Sequence, residues 1–197
     1  MYIVFFGTFN PVTNAHIRIA SYVSNFFNNS KIIFVPVSDY YSKNTLNTSF
    51  IKRVDMLKLA IKNNKNFIVE NIEQEYFLKE HRQLKSYETL NLLKLKYKDQ
   101  LAFLIGTDNY FDLPNWYNVN NLLKEFKVIV YPRIKNFIKE DMPLYQKYKD
   151  DFIFIDSKEI FDISSSKVRE SINKDLDYDL LLDKDVKEYI FKNNLKF

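Results

Sequence analysis

The stretch YIVFFGTFNPVTNAH, residues 2–16, decides the fold. Its first five residues form a short apolar run that ends at Gly7, which is typical of a strand buried on both faces. Residues 14–27 then carry apolar side chains at helical spacing. A buried strand, a short loop and a helix in this order predict the first unit of an α/β sheet.

The same alternation continues along the chain. Residues 71–85 are highly charged without a clear period, and we predict a loop there. Strands that alternate with helices imply right-handed crossovers and a parallel sheet with helices on both faces. We expect one domain over 1–197, with a small helical C-terminal part at about 164–197. The other predicted strands are 31–37, 67–70, 101–105, 126–131 and 152–155, and the other predicted helices are 49–61, 86–97, 164–171 and 184–193.

The composition permits a sizeable core, since 46% of the 197 residues are hydrophobic. The chain has no cysteine, which excludes disulfides, thiolate metal sites and cysteine nucleophiles. The net charge of +4 is small and its basic residues are spread along the chain, so no nucleic-acid partner is expected. No apolar run approaches the roughly 20 residues of a membrane span, so we expect no membrane partner and a cytoplasmic location.

The chain contains only two glycines, and both follow predicted strands. Gly7 ends the first strand and Gly106 ends the strand at 101–105. Ligands of parallel α/β sheets bind at the carboxyl ends of the strands. Both glycines therefore fall at the edge where a site is expected.

The loop from Gly7 to His16 has the features of an anion site. Gly7 permits a sharp turn, Thr13 or Asn14 can cap the helix that follows, and His16 lies in its first turn. Free amides and the positive end of the helix dipole favour a phosphate. The pattern is neither a Walker motif nor a dinucleotide fingerprint. The alternative is a structural turn with a capping threonine and a surface histidine.

A serine-rich segment near the C-terminus supplies a second motif. Residues 163–169 read ISSSKVR, about 150 residues after the first motif. The serines alone are typical of a helix N-cap. Together, the two motifs resemble the signature of the adenylyltransferases that share a Rossmann-like fold. The segments between them resemble the nicotinate or nicotinamide mononucleotide adenylyltransferases: PVSDYYSK at 36–43, YETL at 87–90, GTD at 106–108, LPNWY at 113–117 and YPR at 131–133.

That resemblance implies a reaction and a set of site residues. The reaction is adenylyl transfer from ATP, accompanied by Mg²⁺, to a pyridine mononucleotide, and no protein-held metal is expected. Those implied to act in catalysis are His16, Arg169 and Lys43. Those implied to bind ATP are Gly7, Thr8, Phe9, Thr13, His16, Gly106, Asp108, Ser164, Ser165, Ser166 and Arg169. Those implied to bind the mononucleotide are Asn10, Tyr41, Lys43, Thr89, Trp116 and Arg133.

Simpler interpretations of single residues stay open at this point. Trp116 could be a core anchor, Lys43 a solvated charge and Asp108 a turn cap. Arg53, which matches a recurrent arginine of the family, could equally pair with Asp55 or Glu70. We expect His81 to be exposed and the charges of 85–98 to form a solvated helix face.

The sequence leaves the choice of acceptor partly open. It mixes eukaryotic-type and bacterial-type features, because Asn10, Thr13 and Ala15 depart from the bacterial signature. The sequence therefore does not decide between the acid and the amide form of the acceptor. It does not decide the oligomeric state either, and a homo-oligomer is possible. Alternatives are an adenylyltransferase that acts on phosphopantetheine or FMN, a catalytically silent nucleotide-binding module, and, from the 17% aromatic content, a nucleic-acid-binding protein.

Overall fold

A computed structural model describes residues 1–40, 47–133, 136–157, 164–174 and 176–197. Over these residues the chain forms a parallel sheet of six strands in the order β3-β2-β1-β4-β5-β6. This is the strand order of the doubly wound, Rossmann-like fold, so the predicted fold class is confirmed. The strands are β1 (Tyr2–Gly7), β2 (Lys31–Pro36), β3 (Phe67–Val69), β4 (Leu101–Gly106), β5 (Lys127–Tyr131) and β6 (Phe152–Phe154).

Helices connect the strands and extend beyond the last of them. The helices are α1 (Asn14–Phe26), α2 (Phe50–Ile61), α3 (Ile72–Glu80), α4 (Ser86–Tyr97), α5 (Thr107–Asp112), α6 (Val119–Glu125), α7 (Tyr145–Tyr148), α8 (Ser165–Asn173) and α9 (Lys184–Lys192), with single 3₁₀ turns at Leu113–Asn115, Lys139–Asp141 and Lys149–Asp151. In the part of the chain described, no helix is long and apolar enough to cross a membrane.

The sheet separates two hydrophobic cores, and the inner strand β1 contributes side chains to both. Ile3 packs into one core with residues of α1, α2, α8 and α9, whereas Val4 packs into the other with residues of α4 and α6. Successive side chains of a strand point to opposite faces, so a strand covered on both faces is apolar throughout. Val186 and Ile190 of α9 belong to the same core as Ile3, and the C-terminal helices therefore help to cover the sheet.

The prediction of a loop over 71–85 is wrong, because residues 72–80 form α3. The side chain of this helix that turns inward is Glu73, which is buried. The sequence of α3 from residue 73, EQEYFLKE, contains several good helix formers. The prediction relied on apolar residues at helical spacing, and here a carboxyl takes the buried position, so that spacing is not visible. The short helices α5 and α6 were also not predicted, since neither is long enough to show a period.

Candidate active site

A cavity of about 580 Å³ opens at the carboxyl ends of β1 and β4. The strand order reverses at this pair, which is where open α/β sheets form their ligand crevice. Most of the site residues predicted from sequence line this one cavity. They are Gly7, Thr8, Asn10, His16, Gly106, Asp108, Trp116, Arg133, Ser164, Ser165, Ser166 and Arg169.

His16 is held in one tautomer by the residue that caps its helix. The backbone N–H of Thr13 donates to Nδ1 of His16 over 3.0 Å, and the Thr13 hydroxyl lies 2.8 Å from the same nitrogen. A backbone N–H can only donate, so Nδ1 is the acceptor and the ring proton is on Nε2. His16 lines the cavity, and it therefore brings a fixed Nε2–H donor to it.

Burial keeps this imidazole neutral. Desolvation, helped by the positive charge of Arg133, lowers the pKa of His16 to about 4. The His16 ring is therefore a neutral hydrogen-bond donor at neutral pH in the absence of a bound anion.

The lowered pKa predicts a stability that depends on pH. Between the ordinary histidine pKa of about 6.5 and about 4, the unfolded chain binds a proton at His16 that the folded chain does not. The free energy of unfolding should thus fall by as much as about 3 kcal/mol as the pH drops through this window, and should not change at this residue above it. Urea unfolding from pH 7 to pH 4 should show a smaller loss for His16→Asn than for the unaltered chain. Equal losses would contradict the assignment.

Gly7 is required by the packing beneath the loop. A Cβ at this position would lie 2.8 Å from Cζ of Phe9, closer than side chains approach one another. Phe9 is fully buried, with a φ of 47° that places it in the left-handed region. Its side chain supports the loop from the core, and Phe9 is not among the residues that line the cavity. Its contact with ATP stays a prediction.

Gly106 gives two polar side chains room beside the end of β4. A Cβ here would collide with Cδ of Arg133 and with Oδ1 of Asp108. These two residues form an ion pair of 3.2 Å, and Thr107 accepts a bond from the backbone N–H of Arg133. Asp108 is therefore more than a turn cap, and it orients Arg133 in the cavity.

The two sequence motifs meet at the start of α8. The Ser165 hydroxyl donates to the carbonyl of Pro11 over 2.8 Å, and Arg169 donates to the carbonyl of Asn10 over 2.9 Å. Arg169 also bonds the hydroxyl of Ser166. The N-terminus of one nine-residue helix is thus joined to the loop that starts another, and the positive ends of both helix dipoles lie at one cavity.

Arg53 holds the same loop through hydrogen bonds to backbone carbonyls. It is fully buried and donates to the carbonyl oxygens of Thr8, Val37 and Thr48 at 3.0, 2.8 and 3.2 Å. Its charged partner is Asp39, at 3.4 Å.

Neither partner suggested for Arg53 from the sequence is its partner in the structure. Asp55 accepts a bond from the hydroxyl of Tyr189 on α9, and Glu70 binds Lys96 and Tyr97. The sequence offered several nearby carboxylates, and only the fold shows that the arginine turns toward backbone carbonyls.

The cavity wall includes an aromatic ring. Trp116 is half-buried and lines the cavity, with its ring 6.3 Å from that of Phe103 at an angle of 28°. Its indole N–H donates to Asp112 over 3.3 Å. The tryptophan is thus partly a core residue, as the simpler interpretation had it, and also one wall of the cavity.

Two predicted contact residues lie behind the cavity wall. Thr13 is 1% exposed and binds His16, and Thr89 is fully buried and donates to Oε1 of Glu73 over 3.1 Å. Their observed role is to hold a neighbour that does line the cavity. Tyr41 and Lys43 fall outside the described residues.

The cavity has further wall residues that sequence reasoning missed. Glu73 lines it from the first turn of α3, Gln83, Lys85 and Ser86 line it from the segment that leads into α4, and Asn109 lines it from α5. The error at 71–85 hid the first of these, because a residue in a presumed charged loop is not expected to be buried. Lys85 was assigned to a solvated helix face, whereas it lies at the mouth of the site. His81, by contrast, is exposed as predicted.

Comparison with known proteins supports the family resemblance that the two motifs indicate. A family model described as cytidylyltransferase-like matches residues 4–171. The nicotinate-nucleotide adenylyltransferase of Bacillus subtilis (strain 168) is 34% identical over 196 residues, which cover 98% of this chain and 96% of that protein. The fold matches that of Plasmodium falciparum nicotinic acid mononucleotide adenylyltransferase, solved complexed with APC and with NaAD, with a TM-score of 0.79 at 22% identity over 98% of this chain and 96% of that one. The chain therefore belongs to the cytidylyltransferase-like family and, within it, to the nicotinate-nucleotide adenylyltransferases.

Proposed function

We propose that the protein transfers the adenylyl group of ATP to the phosphate of nicotinate mononucleotide, giving deamido-NAD and pyrophosphate. The observation that carries this proposal is the fixed Nε2–H donor of His16, which shares one cavity with Arg169 and the start of α8. Family membership supplies the acceptor, since the relatives are named for nicotinate nucleotide.

The phosphate end of the cavity would act by positioning and by stabilising charge. An oxygen of the acceptor phosphate attacks the α-phosphorus of ATP in line, the bond to the β-phosphate oxygen breaks, and pyrophosphate leaves with the electron pair. Such a transfer needs no covalent enzyme intermediate. His16 would donate to an oxygen bridging or flanking the α-phosphorus, where negative charge develops.

The start of α8 would hold the outer phosphates. Ser165, Ser166 and Arg169 line the cavity there, and a guanidinium can bind a phosphate through two parallel hydrogen bonds. Ser165 and Arg169 bond to the loop before α1, and these bonds hold the start of α8 near His16. Gly7, Thr8 and the backbone of Phe9 would complete the cradle, with Gly106, Asp108 and Ser164 beside it.

The other end of the cavity would receive the mononucleotide. Trp116 offers a ring face for the pyridine, and Asn10 and Arg133 line the same cavity. The charge of Arg133 reaches His16, which suits a residue placed where the two phosphates meet. We retain Tyr41 and Lys43 in this group as part of the proposal, and Thr89 as a residue that acts through Glu73.

The donor set fits a cation that arrives with ATP. Asp108 is the carboxylate beside the predicted phosphate-binding residues, and it is engaged with Arg133. Among the described residues, no group of three or more acidic or histidine side chains could hold a metal. We propose that Mg²⁺ would arrive with the triphosphate, retain water ligands and neutralise phosphate charge, and that Asp108 would hold those waters.

Trp116→Ala should weaken binding of the acceptor more than binding of ATP. The substitution removes the ring face, and stacking of a base on an aromatic side chain contributes about 1–3 kcal/mol. We expect the KM for nicotinate mononucleotide to rise by about tenfold or more, and the KM for ATP by much less. Tyr117→Ala is the matched control, because Tyr117 is the exposed neighbour and does not line the cavity. Equal rises for both substrates would make Trp116 a structural residue only.

A panel of acceptors tests the proposal as a whole. Pyrophosphate release from ATP is measured with nicotinate mononucleotide, nicotinamide mononucleotide, phosphopantetheine and FMN offered in parallel. We expect rapid release with nicotinate mononucleotide. Release with phosphopantetheine or FMN alone would assign a different acceptor. No release with any of the four would refute the proposed adenylyltransferase activity.

A further inference from the structure

We propose that Asp112 is a positioning residue for the acceptor, because its carboxylate holds the indole ring of Trp116 in one orientation at the cavity wall. The inference rests on the proposed function, in which that ring receives the pyridine of the mononucleotide. Asp112 acts through Trp116, since Trp116 lines the cavity and Asp112 does not.

The carboxylate of Asp112 binds two side chains of the segment that carries the ring. Its Oδ2 accepts the indole N–H of Trp116 over 3.3 Å, and its Oδ1 accepts the side-chain amide of Asn115 over 2.9 Å. The backbone N–H of Trp116 also donates to the carbonyl of Leu113 over 2.9 Å, and Leu113 is fully buried. One carboxylate thus joins the 3₁₀ turn and the ring that follows it.

A second contact constrains the plane of the ring. Phe103 of β4 is fully buried and lies at 28° to the indole, with 6.3 Å between the ring centroids. Phe103 does not line the cavity, so the indole is the member of this pair that a ligand can reach.

The hydrogen bond supplies what the ring contact cannot. A half-turn about the Cβ–Cγ bond of a tryptophan keeps the plane of the ring and exchanges its two edges. Packing against Phe103 therefore restricts the plane, whereas the bond from the indole N–H to Asp112 selects one of the two edges. Together the two contacts leave Trp116 a single orientation.

The helix that carries Asp112 is itself anchored. Asp112 is the last residue of α5, and Tyr110 of the same helix is fully buried. The Tyr110 hydroxyl donates to the carbonyl of Lys139 over 2.7 Å, and its ring packs edge-on against Phe152 and Phe154. A carboxylate on a supported helix holds its partner more precisely than one on a free loop.

The same helix carries a charged residue of the cavity at its other end. Asp108 lies in the first turn of α5 and pairs with Arg133 over 3.2 Å. Four residues separate it from Asp112, which is about 6 Å along a helix axis. The bond from Asp112 therefore fixes the ring of Trp116 relative to the Arg133 ion pair, and both line one cavity.

A ring that is already ordered binds a ligand more tightly than one that the ligand must order. Each binding event otherwise includes the free-energy cost of restricting that side chain, so ordering it in advance lowers the Kd. The reacting atoms are not involved. Loss of Asp112 should therefore weaken binding of the acceptor and leave the step at the α-phosphorus unchanged.

Asp112→Ala should raise the KM for nicotinate mononucleotide about threefold to tenfold, with kcat and the KM for ATP nearly unchanged. Steady-state pyrophosphate release measures all three. Asp112→Asn should recover most of the lost binding, because its amide oxygen still accepts the indole N–H. The matched control is Asp150→Ala, which removes an exposed carboxylate that does not line the cavity. An unchanged KM for the mononucleotide in Asp112→Ala overturns the proposal.

A double-mutant cycle tests whether Asp112 acts through the ring. Trp116→Phe retains an aromatic ring but has no N–H donor, so in that background Asp112→Ala should not raise the KM for the mononucleotide further. An equal rise in both backgrounds would mean that Asp112 acts without the indole, and it would overturn the proposal.

The fluorescence of Trp116 reports on the ring directly, because the chain has one tryptophan. Time-resolved anisotropy, excited beyond the absorption of tyrosine and without substrates, measures the local motion of the indole. We expect a larger fast component in Asp112→Ala than in the unaltered chain, and little change in Asp112→Asn and Asp150→Ala. Identical decays for Asp112→Ala and the unaltered chain would refute the role of Asp112.

The anisotropy measurement also separates this inference from the proposed function. If the unaltered protein releases no pyrophosphate with nicotinate mononucleotide, the proposed function fails. The decay in Asp112→Ala still decides whether Asp112 orders the ring.

Discussion

His16→Ala should lower turnover by about a thousandfold while the protein stays folded. The reason is the geometry of the ring, in which Thr13 holds Nδ1 and leaves the Nε2–H donor to the cavity. Loss of one preorganised donor to developing negative charge costs on the order of 10²–10³ in rate. Steady-state pyrophosphate release should show a fall in kcat with a smaller change in the KM for ATP. Near-normal kcat would contradict the assignment of His16 to the phosphates.

Two further variants exclude a structural cause. His16→Asn places an acceptor close to the position of Nδ1, so Thr13 keeps a partner while the Nε2 donor is lost. This variant should unfold at nearly the same urea midpoint as the unaltered chain and yet be nearly inactive. His81→Ala removes the other histidine, which is exposed, and should change neither property.

Arg53→Met should have the largest effect on stability, lowering the free energy of unfolding by about 3 kcal/mol or more. The substitution retains much of the apolar stem but leaves the carbonyls of Thr8, Val37 and Thr48 without the buried donor that binds them. The released loop after β1 should also lose activity. The midpoint of urea unfolding measures the first effect, and pyrophosphate release measures the second.

Arg53→Lys and Lys58→Met complete this experiment. Lysine keeps the charge of Arg53 but is a single point donor and cannot serve three carbonyls in different directions, so most of the loss should remain. Lys58 lies on the exposed face of the same helix, and its replacement by Met should leave the midpoint nearly unchanged. An Arg53→Met variant as stable as Lys58→Met would mean that the loop does not depend on Arg53.

The parts of the fold with a strong local pattern could be predicted from the sequence. β1 and β4 are apolar on both faces and end in the only two glycines, so the sheet and the position of its functional edge were evident. The two motifs, 7–16 and 163–169, predicted that residues about 150 positions apart share a site. The bonds from Ser165 and Arg169 to the loop show how that contact is made.

The parts that depend on tertiary contacts could not be predicted. A sequence pattern treats Glu73 as a surface charge, because burial of a carboxyl is costly unless the fold supplies partners such as Thr89. For the same reason, the pattern could not show that Arg53 binds carbonyls. A Cβ at Gly7 would collide with the ring of Phe9, and no local pattern in the sequence indicates that contact.

Transfer of a label from ATP tests the central claim most directly. The protein is incubated with nicotinate mononucleotide and ATP labelled in either the α- or the γ-phosphate, and the products are separated. Direct adenylyl transfer predicts that the α label appears in deamido-NAD and the γ label in pyrophosphate, with no label bound to the protein. Absence of the α label from any dinucleotide product, or a covalently labelled protein, would contradict the account.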